Sequence, residues 1–266
     1  MHGRNSATYK QVIFAAILRE FGCRALRVRY HPANMVTYAA ERVRFQPASD
    51  QSLLIYFGQQ IRLEFHHQVL GLLRILEAEP VAGIRNLHPG YCSLLVKFDG
   101  LKMSHKELEA ILQTYLDRLE DVDLPEPRQM EIPVCYGGEY GPDLSDVSAM
   151  HGSSPAEIID LHVSATYIVY FLGFVPGFAY LGGLPESLAT PRLNTPRTKV
   201  PAGSVGIGGS QTGVYPFATP GGWRLLGRTP INMFRRDRDD MSFLSIGDRV
   251  RFIPISQERF AALENG

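Results

Sequence analysis

From Val43 onward, short apolar runs alternate with turn-forming residues, and the period of those runs changes along the chain. VRFQP (43–47) and SLLIYFG (52–58) are rich in β-branched and aromatic side chains and predict strands. Residues 61–78 predict a helix instead, with Leu63, Leu70, Leu73 and Leu76 at helical spacing and Pro80 ending it. VAGIRNLH (81–88) and YCSLLVKFD (91–99) return to strand character, with Pro89-Gly90 turning between them. Ser104 and Glu107 then form a capping box: the serine side chain accepts the amide of the third helical residue while the glutamate reaches back to the cap. The order β-β-α-β-β-α over residues 41–122 predicts an α/β sandwich, one sheet covered by two helices.

DVDLPEP (121–127) is acidic and proline-rich and cannot continue a helix, so residues 123–129 are expected to link two domains. The second domain, 130–258, opens with EIPVCYGGEYGPDL. Asp143 is expected to cap a short helix that Gly152 closes, and Asp143 and Asp146 read as helix-start acids. Ser154-Pro155-Ala156-Glu157 is a second capping box, with proline in the first turn where its missing N–H does no harm; that helix is expected to end near His162. Beyond it, TYIVYFLGF and a series of short strands punctuated by glycine and proline run to Ile255 and predict a β-barrel.

Residues 1–34 differ from the rest. They hold Arg4, Lys10, Arg19, Arg24, Arg27 and Arg29 against a single acid, Glu20, and residues 9–21 have a helical look. Two explanations stand side by side for residues 1–40: an extension read from a start codon placed too far upstream, or a genuine basic arm. VIFAAIL (12–18) is too short and too closely followed by Arg19 and Glu20 for an export signal. No apolar run approaches the roughly 18 residues of a membrane helix.

At 266 residues, two compact domains are the default, and the composition is that of an ordinary globular protein. Twenty-seven basic and 27 acidic residues cancel, which leaves no global field for nucleic acid or an anionic membrane. Cys23, Cys92 and Cys135 are scattered and odd in number, so neither a zinc site nor a disulfide framework is expected, and a reducing cytoplasm fits.

The glycine-dense stretch VPAGSVGIGGSQTGVYP (200–216) invites a phosphate-binding reading. A P-loop fails, because Gly209 or Val214 stands where lysine is required; a dinucleotide fingerprint fails, because Gln211 replaces its third glycine and Val214-Tyr215-Pro216 breaks any following helix. Glycines at a barrel rim permit tight turns and bulges, and their amides can also form an anion-binding nest.

Several side chains crowd this region, each with two readings. Arg197, Lys199 and Arg228 can bind phosphate or carboxylate, or serve as structural or solvated charges. Gln211 and Thr212 can donate to a substrate amide or carboxylate, or bond within turns, and Ser204 and Tyr215 share the same surface. Phe174, Pro176, Phe178 and Tyr180 line a pocket for a flat ring or fill the core. Trp223, the only tryptophan, is an interface anchor, a pocket wall or a core residue. His162 is a general acid or base, or a helix-end histidine favoured by the macrodipole. His66 and His67 lack acidic partners at metal spacing and read as surface or packing residues. The G-x-S-x-G elbow is absent, so a serine amidase is unsupported.

LGFVPGFAYLGGLP (172–185), PRTKVPAGSVGIGGSQTGVYP (196–216), TPGGWRLLGRTP (219–230) and GDRVRFIPI (247–255) occur in fixed order. Together they resemble the allophanate hydrolase subunit 1 family, which groups the B subunits of 5-oxoprolinase with KipI-like relatives, over about residues 42–256. The resemblance implies an α+β protein: a ferredoxin-like α/β sandwich followed by a cyclophilin-like β-barrel. It implies a cytoplasmic complex with two further 5-oxoprolinase subunits, one of C type from the allophanate hydrolase subunit 2 family and one of A type from the LamB/YcsF family. That complex would open 5-oxo-L-proline to L-glutamate at the expense of ATP, with Mg2+, bound in the assembled complex.

The lactam carbonyl is a poor electrophile, and phosphorylation of its oxygen creates a leaving group that water can displace, so cations and backbone donors are needed. The resemblance places a histidine at His162, which with Lys199 is a candidate catalytic residue. Arg197, Ser204, Gln211, Thr212, Tyr215 and Arg228 are then candidate substrate-binding residues, with Phe178 and Trp223 at an interface or pocket wall, and no metal site. Two other roles go with the same resemblance. One is a KipI-like inhibitor that binds a sensor histidine kinase. The other is a urea carboxylase or allophanate-type carboxyltransferase component, for which a biotin-attachment pattern such as A-M-K-M is absent from the chain.

Overall fold

A computed structural model of the chain describes residues 43–264; the basic N-terminal segment and the helix expected over 9–21 lie outside the described residues. Strands β1 (Arg44–Ser49), β2 (Ser52–Tyr56), β3 (Ile84–Pro89) and β4 (Ser93–Phe98) form an antiparallel sheet in the order β1-β2-β4-β3. Alternation decides which face is buried: Leu53, Ile55 and Phe57 share one side with Leu94, Val96 and Phe98. Helix α1 (Leu63–Ala78) lays Val69, Leu72, Leu73 and Leu76 onto that side, and helix α2 (His105–Leu116) adds Leu108 and Leu112. Each such side chain stabilises the fold by about 1.5–3 kcal/mol relative to exposure.

The element order is the β-β-α-β-β-α read from the pattern, whereas a ferredoxin-like sandwich runs β-α-β-β-α-β. Helix α1 begins at Leu63 rather than Ile61, because Arg62 is still extended at φ −132°. The capping box of α2 forms as expected: Glu107 accepts the Ser104 N–H at 2.7 Å while the Ser104 hydroxyl accepts the Glu107 N–H at 3.3 Å.

A short 3-10 turn (Leu119–Asp121) and an irregular stretch lead to β5 (Gln129–Tyr136). Helices α3 (Leu144–His151) and α4 (Pro155–Ser164) follow, then β6 (Tyr167–Leu172), β7 (Ala179–Gly182), β8 (Arg197–Val200), β9 (Ser204–Gly208), β10 (Gln211–Val214), β11 (Thr219–Gly221), β12 (Arg224–Arg228) and β13 (Arg249–Pro254). A last helix, α5, spans Gln257–Glu264. Seven strands close into a barrel in the order β10-β7-β6-β13-β5-β12-β9, while β8 and β11 pair with each other outside it. Closure leaves the barrel without an unpaired edge. Its first and last strands, β5 and β13, run parallel, with Ile132 opposite Phe252. Ile132, Val134, Val169, Leu181, Val205, Leu226 and Val250 fill the interior, and α4 adds Ile158.

Gly152 closes α3 in the left-handed conformation, and the Ser154–Glu157 box opens α4, both as expected. Asp143 departs from expectation. It stands at the N-cap position of α3 but makes no side-chain cap hydrogen bond. Its carboxylate, almost fully buried, accepts from Arg197 Nη2 at 2.6 Å and from the Leu225 N–H at 2.6 Å. A buried carboxylate is better served by a guanidinium and an amide across the barrel wall than by a helix amide open to water.

The α/β sheet meets the barrel through α1 and the turn between β3 and β4. His66 lies 4.5 Å, ring centroid to centroid, from Tyr170, while Tyr91 packs on Tyr170 and edge-on to Phe171 at 5.0 Å. Among the described residues no helix is long and apolar enough to cross a membrane.

Candidate functional site

The β9–β10 hairpin resolves what the glycine-dense stretch does. A side chain at Gly208 would collide with the indole of Trp223. One at Gly213 would meet Phe178 Cζ at 3.2 Å and the Ala179 carbonyl at 2.9 Å. The glycines leave room for aromatic rings to lie directly on the strands. Their open side is occupied by indole and phenyl carbons, where a phosphate nest would need exposed amides.

Those rings form one cluster. Phe178 stands nearly perpendicular to Trp223 at 5.5 Å, and at steep angles to Tyr215 at 5.3 Å and Tyr180 at 5.1 Å. Edge-to-face pairs of this kind contribute about 0.5–1.5 kcal/mol each beyond the area they bury. Between the cluster and the β8–β11 ribbon is a cavity of about 250 Å³, walled by Phe174, Phe178, Tyr180, Tyr215 and Trp223 and reached by Arg192. The Arg192 guanidinium carbon lies 5.8 Å from the Trp223 ring centroid. Among the described residues it has neither an ion pair nor a hydrogen bond. Phe174, on the β6–β7 loop, is 60% exposed and adopts φ +67°, a conformation that costs a bulky residue of order 1–3 kcal/mol. It leans edge-on against Phe178 and also borders an open groove with Leu172, Val175 and Phe234.

The expected site residues divide between this slot, the barrel wall and the barrel interior. Phe178, Tyr215 and Trp223 come together at the slot, and burial raises the pKa of the Tyr215 phenol. Arg197 is committed to Asp143, and its second nitrogen reaches the Trp223 carbonyl at 3.5 Å. Arg228 donates to the Ala202 carbonyl at 2.9 Å, pairs with Glu264 at 3.5 Å and covers Phe260. Lys199 is exposed on β8, and Ser204 is buried on β9, where its carbonyl accepts the Tyr215 N–H.

His162 sits inside the barrel at 0% exposure. Its Nδ1 bonds the Tyr136 hydroxyl at 2.7 Å and its Nε2 the Thr212 hydroxyl at 3.1 Å, while Thr212 donates to the Gly206 carbonyl at 3.0 Å. The ring stacks on Phe252 at 4.6 Å. Burial alone lowers its pKa to about 3, so it is neutral at physiological pH. Both ring nitrogens are engaged and the ring is closed off from water, with Thr212 part of the same network.

Two residues of the region carried no signal. Arg192 lies in the irregular stretch before β8, where an arginine among prolines and polar residues looks like any loop charge. Tyr91 reads as the start of a strand, yet its hydroxyl is buried at the seam without a well-formed hydrogen bond among the described residues. Burial holds its pKa well above the ordinary phenol range, against weaker opposing pulls from Arg192 and from the nearby Gln211 amide.

Over residues 43–244 the chain matches the family described as carboxyltransferase domain, subdomain C and D. The 5-oxoprolinase B subunit of Bacillus subtilis (strain 168) is 40% identical over 233 residues, which are 83% of this chain and 96% of that protein. The urea amidolyase of Saccharomyces cerevisiae is 25% identical over 256 residues, 84% of this chain but 14% of that much longer protein. The solved structure of TTHA0988 is 34% identical with a TM-score of 0.69, over 77% of this chain, and the chain accounts for 40% of that one. The family match and the nearly full-length likeness together show that the chain belongs to the carboxyltransferase domain, subdomain C and D family, on the branch of the 5-oxoprolinase B subunits.

Proposed function

We propose that the chain is the B subunit of an ATP-dependent 5-oxoprolinase, which opens the ring of 5-oxo-L-proline to give L-glutamate. The observation that carries this reading is the 40% identity, along 96% of that protein's length, to a known 5-oxoprolinase B subunit. The aromatic slot, small and lined by ring faces, suits a compact cyclic substrate. Subunits of the C and A types are the expected partners, and a cytoplasmic location goes with them. A carboxyltransferase role has less behind it, since the urea amidolyase likeness is 25% and spans a small part of that enzyme.

ATP with Mg2+ belongs to this reading as a co-substrate of the assembled enzyme. The β9–β10 glycines do not fit a triphosphate, because Trp223 and Phe178 cover them, so no phosphate contact is assigned to that hairpin. The N-terminal sheet, antiparallel with both helices on one face, is read as a ferredoxin-like sandwich entered at a different loop, and the closed barrel as cyclophilin-like.

The test is ATP-dependent glutamate release from 5-oxo-L-proline by the chain alone, by its partner subunits alone and by all together. Turnover in the full mixture only is expected. Full activity of the chain alone would refute a shared site, and no activity in any mixture of folded partners would move the assignment to the kinase-binding role.

A further inference from the structure

We propose that the aromatic slot is a binding site for a small planar ring that bears a carboxylate, with Arg192 as the carboxylate anchor and Trp223 as the stacking face. The shape argument comes first. A cavity of about 250 Å³ is below the usual range for drug-sized ligands and matches a single small ring with substituents. Trp223 and Phe178 stand 76° apart, so a flat ring laid on one wall presents its edge to the other.

Charge then selects the ligand. The neighbouring arginines are already neutralised by acids, Arg197 by Asp143 at 2.6 Å and Arg224 by Asp146 at 3.4 Å. Arg192 has no such partner among the described residues, and no carboxylate lines the cavity. A guanidinium with two free N–H edges beside an apolar wall recognises a carboxylate bidentately, and the low dielectric of that wall strengthens the pair. A cationic ligand would meet uncompensated repulsion, and a nucleotide exceeds the volume. The ligand class follows from the slot itself. Naming the acid as the lactam 5-oxo-L-proline rests on the proposed function.

The chain supplies its own reporter, because Trp223 is its single tryptophan. Titrating the full chain with 5-oxo-L-proline while following tryptophan fluorescence should give a saturable change. 2-Pyrrolidone, the same ring without the carboxylate, should bind at least ~10-fold more weakly, the loss expected for one charge-assisted bidentate pair. Arg192→Gln should weaken 5-oxo-L-proline to a similar extent, with Arg192→Lys between. Arg192 is exposed and holds no other described residue by an ion pair, so its replacement is expected to leave the fold intact, which far-ultraviolet circular dichroism checks. In the assembled enzyme Arg192→Gln should raise KM with kcat little changed, as loss of uniform binding does.

Equal responses to the two ring compounds, or to wild type and Arg192→Gln, overturn the site. So does a silent Trp223 combined with an unchanged KM in an enzyme that turns over, and that result leaves the 5-oxoprolinase reading standing. Saturable, Arg192-dependent binding without turnover in any mixture of folded subunits supports the site and overturns the enzyme assignment.

Discussion

His162 and His66 are hidden from water to the same degree, at 0% and 1% exposure, and each lies on a helix packed against β-structure. In the barrel, His162 joins Tyr136, Thr212 and the Gly206 carbonyl in a chain of hydrogen bonds that engages both ring nitrogens. At the seam between the α/β sheet and the barrel, His66 has no hydrogen-bond partner for either nitrogen among the described residues, and the Tyr91 hydroxyl, which also packs near Tyr170, makes no well-formed one there. A satisfied buried network specifies one arrangement of its surroundings, whereas an orphaned polar atom bears its full desolvation cost with nothing in return. The barrel interior is therefore built to hold one geometry. The seam keeps unused hydrogen-bonding capacity and holds its two sides together by ring contacts.

The largest expected effect is that of acid, which acts on both histidines. Burial lowers the pKa of His162 to about 3 and that of His66 to about 4, from 6.5 in the unfolded chain. Both are neutral when folded, so the unfolded chain takes up protons first as pH falls below 6.5. Stability from this source is complete above 6.5 and is lost on acidification, His66's share by about pH 4 and His162's by about pH 3. Each histidine contributes up to about 1.4 kcal/mol per pH unit, so urea denaturation at about pH 6.5 and about pH 4.5 should differ by up to about 5 kcal/mol from the pair. His66→Leu should remove about half of this dependence, His162 supplying the rest, and at neutral pH the loss of two unsatisfied nitrogens should offset the lost ring contact with Tyr170. A flat profile in wild type would mean that neither histidine is closed off from solvent.

Next in size is His162→Leu. It removes the partner of the Tyr136 hydroxyl, a phenol whose pKa burial raises, and strips the stacking face from Phe252. An orphaned buried hydroxyl together with lost packing should cost about 3 kcal/mol. If His162 acts only through the fold, the variant's activity in the assembled enzyme should follow its folded fraction, with KM unchanged. A loss of kcat at full folding would support a catalytic role for His162.

How legible each region is depends on the range of its interactions. Ser104 with Glu107 and Ser154 with Glu157 announce their helices because a capping box closes within four residues. His66 also left a trace, lying between Leu63 and Leu70 at helical spacing, though nothing in that spacing says whether its nitrogens are bonded. The density of turns pointed to a barrel. The parallel pairing of β5 with β13 did not show, since it joins the two ends of the domain. Asp143 reads as a helix cap because the helix is adjacent, while Arg197, its real partner, is 54 residues away. The glycine stretch misleads for the same reason: Trp223 comes from β12's approach, and only in space does it lie on Gly208.

That last contact predicts a middle-sized effect. Gly208→Ala pushes a methyl into the indole and should cost about 1–3 kcal/mol by overpacking, with a shift in Trp223 emission as the ring is displaced. The same substitution at Gly209, which has nothing within 4 Å of the added carbon, should leave the emission unchanged, any destabilisation coming only from its φ of +67°. Equal emission from the two variants would show that the glycines serve the hairpin turn and not the ring.

The smallest effect should have the opposite sign. Tyr91→Phe keeps every ring contact with Tyr170, Phe171 and Tyr180 and deletes only a hydroxyl that makes no well-formed hydrogen bond among the described residues, the Gln211 amide giving it a weak interaction at most. Removing an unsatisfied buried polar group recovers its desolvation cost, so the variant should be more stable than wild type by about 1 kcal/mol in urea denaturation. Tyr136→Phe, the matching change in the barrel, removes a hydroxyl that bonds His162 at 2.7 Å and should be less stable than wild type by a similar amount. Opposite signs for one chemical change in two places would establish the contrast between seam and barrel directly. Tyr91 lies against Tyr180, a wall of the slot, so activity must be measured alongside stability. If Tyr91→Phe is the more stable protein yet raises KM for 5-oxo-L-proline in the assembled enzyme, the orphaned hydroxyl is held in reserve for the ligand. If KM is unchanged, it is a cost that the seam bears without return.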